Sequence, residues 1–136
     1  MDPVRRDLAL RVRQQRPTLR LLTGYEFDVV SYMQHGYNGA LLGGGIFNGR
    51  LAALILAACA KGDTEGAQAL QKRMNGLMWD VYGGQQITCW LSGLKELLVR
   101  MGVFRTHRNV LNYPLTESCS QAIDQALQRD RDVLLP

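Results

Sequence analysis

The sequence contains few of the residues that build metal centres and disulfide frameworks. It has three cysteines and two histidines among 136 residues, and no Cys-x-x-Cys pair occurs. The three cysteines are far apart in the chain, and each lies inside a helical pattern, which predicts small core residues. Neither histidine has a second ligand at metal spacing. We therefore expect no zinc site, no disulfide framework and no cofactor.

Long hydrophobic runs are also missing. The longest apolar run covers residues 51–60, which is ten residues and suits a buried helix better than a membrane span. The N-terminal segment MDPVRRDLAL has no apolar centre of the kind found in signal peptides. These features predict no membrane association and a cytoplasmic location.

Charge is moderate, with a net charge of +4 and a pI near 9.2. Many of the basic residues lie in the first twenty positions: Arg5, Arg6, Arg11, Arg13, Arg16 and Arg20. A basic helix of this kind is one way to contact nucleic acid. However, no recognition motif accompanies it, and Asp2 and Asp7 are interleaved. We expect a solvated helix face and no nucleic acid partner, which salt-dependent retention on DNA would test.

The first third of the chain has a helix–strand–helix–strand pattern. Asp2 as N-cap and Pro3 at the first helical position open a helix that Pro17 ends. The segment TLRLLTG at 18–24 and the segment from Gly39 to Gly43 read as strands. A short helix over residues 25–36 joins them, which is the crossover that parallel strands require.

The remainder is predicted to be helical. Helices are expected from 50 to 61, 64 to 82 and 87 to 101, and a last helix runs to about residue 129. A capping box, Ser118-x-x-Gln121, is expected to open that last helix. Helical periodicity places Ile87, Trp90, Leu91, Leu94, Leu98 and Met101 on one inward face. We expect these apolar positions to be buried: Leu41, Leu54, Ile55, Leu70, Leu77, Leu91 and Leu94.

Four segments in order carry a resemblance to one family. They are LLTGYE at 21–26, GYNGALLGGGIFN at 36–48, AKGDTEGAQALQKRMN at 60–75 and GVFRTHRNVLNYPLTE at 102–117. Together they resemble the dihydrodipicolinate synthase and N-acetylneuraminate lyase family of Schiff-base aldolases and dehydratases. The similarity covers essentially this whole chain but only the C-terminal part of the family's. It implies an α/β fold, the last two strands of a (βα)₈ TIM barrel followed by a C-terminal helical region.

The resemblance implies a chemistry whose nucleophile is not matched in this sequence. Family members bind a 2-oxo acid as an imine on a lysine at the end of the sixth strand. This chain matches from the following helix onward. Its three lysines, Lys61, Lys72 and Lys95, all fall on or beside helical segments. We therefore expect no catalytic residue on this chain.

The resemblance also implies substrate-binding residues at the carboxyl ends of the seventh and eighth strands. After the seventh strand these are Gly24, Tyr25 and Glu26. After the eighth strand they are Leu41, Leu42, Gly43 and Gly44, with Gly45 completing a glycine triplet. Each has a structural alternative: Gly24 ends a strand, Glu26 favours a helix N-terminus, and the glycines allow close packing or cradle an anion.

The resulting hypothesis is a C-terminal fragment of a lyase that acts on pyruvate or a 2-keto-3-deoxy sugar acid. Residues 1–61 are expected to form the partial barrel, and residues 62–136 the helical region. The predicted partners are the 2-oxo acid and an N-terminal half-barrel or further copies of the chain, as a homo-oligomer. The alternative is a non-catalytic helical module for interaction or oligomerisation.

Overall fold

The computed structural model describes residues 3–134 of the chain. Asp2, the predicted N-cap of the first helix, lies outside the described residues. Most of the described chain is helical, and two short strands form a parallel pair. The elements are α1 (Pro3–Gln15), β1 (Leu22–Thr23), a 3-10 turn (Glu26–Asp28), α2 (Val29–Gln34), β2 (Gly39–Ala40), α3 (Gly45–Ala60), α4 (Thr64–Tyr82), α5 (Trp90–Arg100), α6 (Glu117–Arg129) and α7 (Arg131–Leu134).

The strand–helix–strand unit has the predicted order and direction. Leu22 pairs with Gly39 and Thr23 with Ala40 in a parallel register. Gly36 ends the connecting helix at φ +83°, a conformation that favours glycine. Both strands are only two residues long, shorter than the predicted 18–24 and 39–43. A strand is assigned only where its backbone pairs with a neighbouring strand. Each of these two strands pairs with the other alone, so the assigned strands are short.

The two faces of the strand pair have different environments. Thr23 is buried, and Ala40 and Leu42 pack against the helical core. Because side chains alternate along a strand, Leu22 and Leu41 lie on the opposite face. Leu22 is 53% exposed and Leu41 is 76% exposed. We call this second face, with Gly24 and Gly39, the open face.

Helices α3 and α4 form the centre of the core. The helix predicted from residue 50 begins earlier, at Gly45, with Gly44 as its N-cap. Helix α4 has the predicted bounds, because its signals are local: the Asp63 side chain accepts from the Gly66 amide, and Gly83 ends the helix at φ +78°.

Helix α5 differs from its prediction in both start and phase. The residues from Gly83 to Cys89 form turns, and Ile87 has φ +53°, which excludes it from a helix. The buried side is formed by Ser92, Gly93, Leu97 and Leu98, whereas Trp90 is 41% exposed. The predicted inward position was wrong for Ile87, which lies in the turn before α5, and for Trp90, because α5 packs against its neighbours through Ser92, Gly93, Leu97 and Leu98.

The last long helix also begins at a different cap. The Thr116 hydroxyl, not Ser118, accepts from the Cys119 amide at 3.2 Å, so α6 starts at Glu117. The predicted capping box at Ser118 was therefore wrong. Thr116 and Ser118 are both favourable N-cap residues and lie two positions apart. The capping pattern in the sequence therefore does not decide which of the two begins the helix.

Two of the seven apolar positions expected in the core are exposed. Ile55 and Leu77 are fully buried, and Leu70, Leu91 and Leu94 are partly buried. Leu41 is on the open face, and Leu54 is 42% exposed on α3. The expectation was wrong for Leu41 and Leu54. It assumed that every apolar side chain after β2 and on α3 is covered by another part of this chain.

The cap assignment can be tested by a matched pair of substitutions. Thr116→Ala removes the acceptor for the Cys119 amide and is expected to lower the free energy of unfolding by about 1 kcal/mol. Ser118→Ala is the control, because the Ser118 hydroxyl lies 3.1 Å from the Thr116 hydroxyl but caps no helix among residues 3–134. Urea denaturation of both variants measures the difference, and a larger loss for Ser118→Ala would restore the sequence-based cap.

Candidate functional site

The predicted site residues gather at one edge of the strand pair. Gly24, Tyr25 and Glu26 follow β1, and the segment from Leu41 to Gly44 follows β2. Because the strands are parallel, both segments leave the same edge. The Leu41 amide donates to the Thr23 carbonyl at 2.8 Å, which holds the two segments side by side.

The open face contains two of these residues at this edge. A Cβ placed on Gly24 would lie 3.8 Å from the Leu41 carbonyl oxygen, so Gly24 leaves room beside Leu41. Leu42 points to the opposite side and packs against the core. Of the two leucines, only Leu41 therefore faces the side that a barrel would enclose.

Tyr25 and Glu26 have different environments despite being neighbours. Tyr25 is 46% exposed, and its ring lies near those of Phe27 and Tyr32 at tilted angles. The Glu26 carboxylate accepts from the Gly44 amide at 2.8 Å through one oxygen. Its other oxygen accepts from the Tyr82 hydroxyl at 3.1 Å. Glu26 thus joins the segments after the two strands to the end of α4.

The glycine triplet has one position where a side chain is excluded. A Cβ on Gly44 would lie within 3 Å of the Tyr82 hydroxyl, the Glu26 carboxylate and the Asn48 amide nitrogen. A Cβ on Gly43 would meet nothing within 4 Å. The Gly44 amide, expected as one candidate donor to an external anion, is held by an internal carboxylate instead.

Sequence reasoning missed Tyr82 and Gln71. The Gln71 side-chain oxygen accepts from the Val29 amide at 2.8 Å, and its nitrogen donates to the Glu26 carbonyl at 3.0 Å. Gln71 is 4% exposed and fixes the turn that carries Glu26. A glutamine on the buried face of α4 was the available signal, since a buried polar side chain requires partners.

Burial dominates the ionisation of Tyr82. Its pKa is raised well above the ordinary tyrosine value, first by burial and then by the charge of Glu26. Tyr82 is therefore a neutral hydrogen-bond donor to Glu26 at physiological pH. This arrangement holds a carboxylate in a fixed position, and it supplies no nucleophile.

The lysines lie outside this edge. Lys61 follows α3, Lys72 lies within α4 and Lys95 lies within α5, so none of the three ends a strand. Between residues 3 and 134, no three histidine, cysteine or acidic side chains come together as a metal site. Over the same residues, no helix has the length and apolarity needed to cross a membrane.

Comparison with known proteins gives a consistent result for sequence and structure. A model of the dihydrodipicolinate synthetase family matches residues 4–130. No curated protein sequence matches the chain.

Solved structures share the fold, and two of them illustrate the match. A dihydrodipicolinate synthase from Bacteroides thetaiotaomicron has a TM-score of 0.78 at 22% identity, over 94% of this chain and 43% of that one. An N-acetylneuraminate lyase from Mycoplasma synoviae has a TM-score of 0.69 at 14% identity, over 88% of this chain and 40% of that one. The chain therefore spans less than half the length of these relatives.

Proposed function

The chain belongs to the dihydrodipicolinate synthetase family, and on that premise we propose that it is the C-terminal part of a Schiff-base lyase. The proposed substrate is a 2-oxo acid such as pyruvate or a 2-keto-3-deoxy sugar acid. Support comes from the family match over residues 4–130 and from the fold that the chain shares with a dihydrodipicolinate synthase and an N-acetylneuraminate lyase. Location in the cytoplasm and assembly into a homo-oligomer are parts of the same proposal.

One observation carries the proposal. The open face has apolar side chains, Leu22 and Leu41, that remain 53% and 76% exposed among residues 3–134, and Gly24 leaves space at its carboxyl edge. Active sites of (βα)₈ barrels form at the carboxyl ends of the strands. We infer that further strands complete the barrel over this face and enclose the substrate there.

The proposed roles follow from position and contacts. Leu41 forms an apolar wall beside the 2-oxo acid, and the exposed Tyr25 hydroxyl meets polar groups of the substrate. Glu26 acts mainly by holding the Gly44 amide and thereby the segment that carries Leu41. Leu42 and Gly43 complete that segment. The imine-forming lysine belongs to the part of the barrel that this sequence does not contain.

A trapping experiment tests the chemistry. This chain, incubated with pyruvate and borohydride, is expected to show no reduced adduct by intact mass, because its lysines lie on or beside helices. An unrelated lysine-rich protein, treated in the same way, controls for non-specific pyruvate adducts on surface lysines. A stoichiometric adduct on Lys61, Lys72 or Lys95 would contradict the assignment of the nucleophile to the missing part.

The coding sequence that precedes this chain provides the complementary test. We expect an upstream frame with a strand that ends in lysine. Its product should copurify with this chain, and pyruvate should then be trapped on that lysine. An upstream sequence without such a strand would favour the alternative function.

That alternative is a non-catalytic helical interaction module, and one surface feature favours it. A groove of about 680 Å³ lies between α5 and the following loop, with Ile46, Leu94, Phe104 and Val110 in its lining. Val110 is 96% exposed. If this groove is the functional surface, Val110→Lys removes the interaction, whereas Leu41→Lys leaves it intact.

A further inference from the structure

One buried side chain has hydrogen-bonding atoms that the fold leaves without partners. Asn48 lies in the first turn of α3 and is completely buried. Within residues 3–134, neither its side-chain nitrogen nor its side-chain oxygen makes a hydrogen bond. An amide that is taken out of water without a replacement partner destabilises the fold, so buried amides are normally paired.

The Asn48 amide belongs to a cluster of polar groups beside Gly44. The point where a Cβ on Gly44 would stand lies 2.9 Å from the Asn48 side-chain nitrogen. The same point lies 2.8 Å from a Glu26 carboxylate oxygen and 2.7 Å from the Tyr82 hydroxyl oxygen. Because position 44 has no side chain, three polar groups from three different parts of the chain converge there.

This cluster has more hydrogen-bonding capacity than its direct contacts use. The Glu26 carboxylate accepts from the Gly44 amide and from the Tyr82 hydroxyl, one bond on each oxygen. A carboxylate accepts about four hydrogen bonds, and the Tyr82 oxygen is still able to accept after it has donated its proton. The Asn48 amide adds two donor hydrogens and one acceptor. A partner for the cluster therefore has to accept as well as donate.

Burial limits the size of that partner. Gly44, Asn48 and Tyr82 are all buried within this chain, so a side chain from another part of a barrel does not reach the cluster. Water is small enough, it both donates and accepts, and buried waters typically make about three hydrogen bonds to protein groups. An ammonium ion only donates, so it would leave the Asn48 nitrogen without an acceptor.

From these contacts we propose that Asn48, Glu26 and Tyr82 bind at least one internal water molecule. The water accepts from the Asn48 nitrogen and donates to the Glu26 carboxylate, and its second hydrogen is available to the Tyr82 oxygen. It thereby connects the segment after β1 with α3 and with the end of α4. The inference rests on contacts within the described chain and is independent of the proposed lyase function.

Nuclear magnetic resonance of the ¹⁵N-labelled full chain tests the site directly. The side-chain amide signals of Asn48 are identified by backbone connectivity and by their loss in Asn48→Leu, since leucine has nearly the same shape without polar atoms. In the wild type these signals should show a dipolar cross-peak to water in the rotating frame. Oxygen-17 relaxation dispersion should count at least one long-lived water fewer in Asn48→Leu.

Stability gives a second readout of the same site. Loss of the Asn48 amide leaves the water and the Glu26 carboxylate short of a partner, so Asn48→Leu is expected to raise the equilibrium constant for unfolding about tenfold. Asn75→Leu is the matched control, because the Asn75 nitrogen donates directly to the Phe27 carbonyl at 3.0 Å. This control should also be less stable, but its count of long-lived waters should equal that of the wild type.

Two results would overturn the proposal. One is a folded wild-type chain in which the Asn48 amide signals have no cross-peak to water. The other is a folded Asn48→Leu variant that is at least as stable as the wild type and has the same number of long-lived waters. Circular dichroism confirms the fold of each variant. The wild-type cross-peak decides the matter even where Asn48→Leu does not fold.

Discussion

Gly93→Ala is expected to destabilise the chain severely. An alanine Cβ at this position would lie 1.8 Å from the Val81 carbonyl oxygen and 3.2 Å from the Cys119 sulfur. The nearest atom belongs to the backbone of α4, so a rotamer change cannot relieve the overlap, and α5 has to move away from α4. We expect a loss of about 3 kcal/mol or more, which is a large fraction of the 5–15 kcal/mol stability of a typical domain.

Gly76→Ala provides a matched control on the neighbouring helix. Gly76 lies within α4, and a Cβ there would meet nothing within 4 Å. This variant should gain roughly 0.5–1 kcal/mol from helix propensity. Urea denaturation and soluble yield compare the two variants. An unfolding midpoint for Gly93→Ala equal to that of the wild type would show that the contact between α4 and α5 is looser than described.

The second large effect concerns association through the open face. Leu22 and Leu41 are 53% and 76% exposed, and the strand pair has no charge or proline to protect its edges. We expect the isolated chain to self-associate or to pair with an N-terminal half-barrel. Substituting both leucines by lysine removes about 1.5–3 kcal/mol of burial each, which corresponds to at least a hundredfold weaker association.

Light scattering across a concentration series measures this effect. Val110→Lys is the control, because Val110 is also apolar and is 96% exposed but lies on the loop after α5. The control variant should associate like the wild type. A wild-type chain that is monomeric at every concentration and exchanges its amides slowly over residues 19–45 would contradict both the association and the half-barrel interpretation.

Local signals in the sequence were sufficient for part of this structure. The bounds of α4 follow from Asp63 and Gly83, which act on the backbone within a few residues of themselves. The parallel strand pair follows from its crossover length, and the family resemblance follows from four ordered segments that the match over residues 4–130 confirms. None of these requires knowledge of distant contacts.

Other features were decided only by the tertiary structure. The cap at Thr116 and the buried face of α5 depend on which residues meet α4, whereas the capping-box pattern favoured Ser118 and helical periodicity placed Trp90 inward. The strands are shorter than predicted because a strand extends only as far as its neighbours pair with it.

The candidate site shows the same division. Sequence indicated Gly24, Glu26 and Gly44, because these follow strands and match a family pattern. It gave no sign that Glu26 is held by Tyr82, which is 56 positions away in sequence. Periodicity and capping act over a few residues, so a sequence reveals them directly. A hydrogen bond between distant segments exists only after the packing of α3 against α4 has brought those segments together.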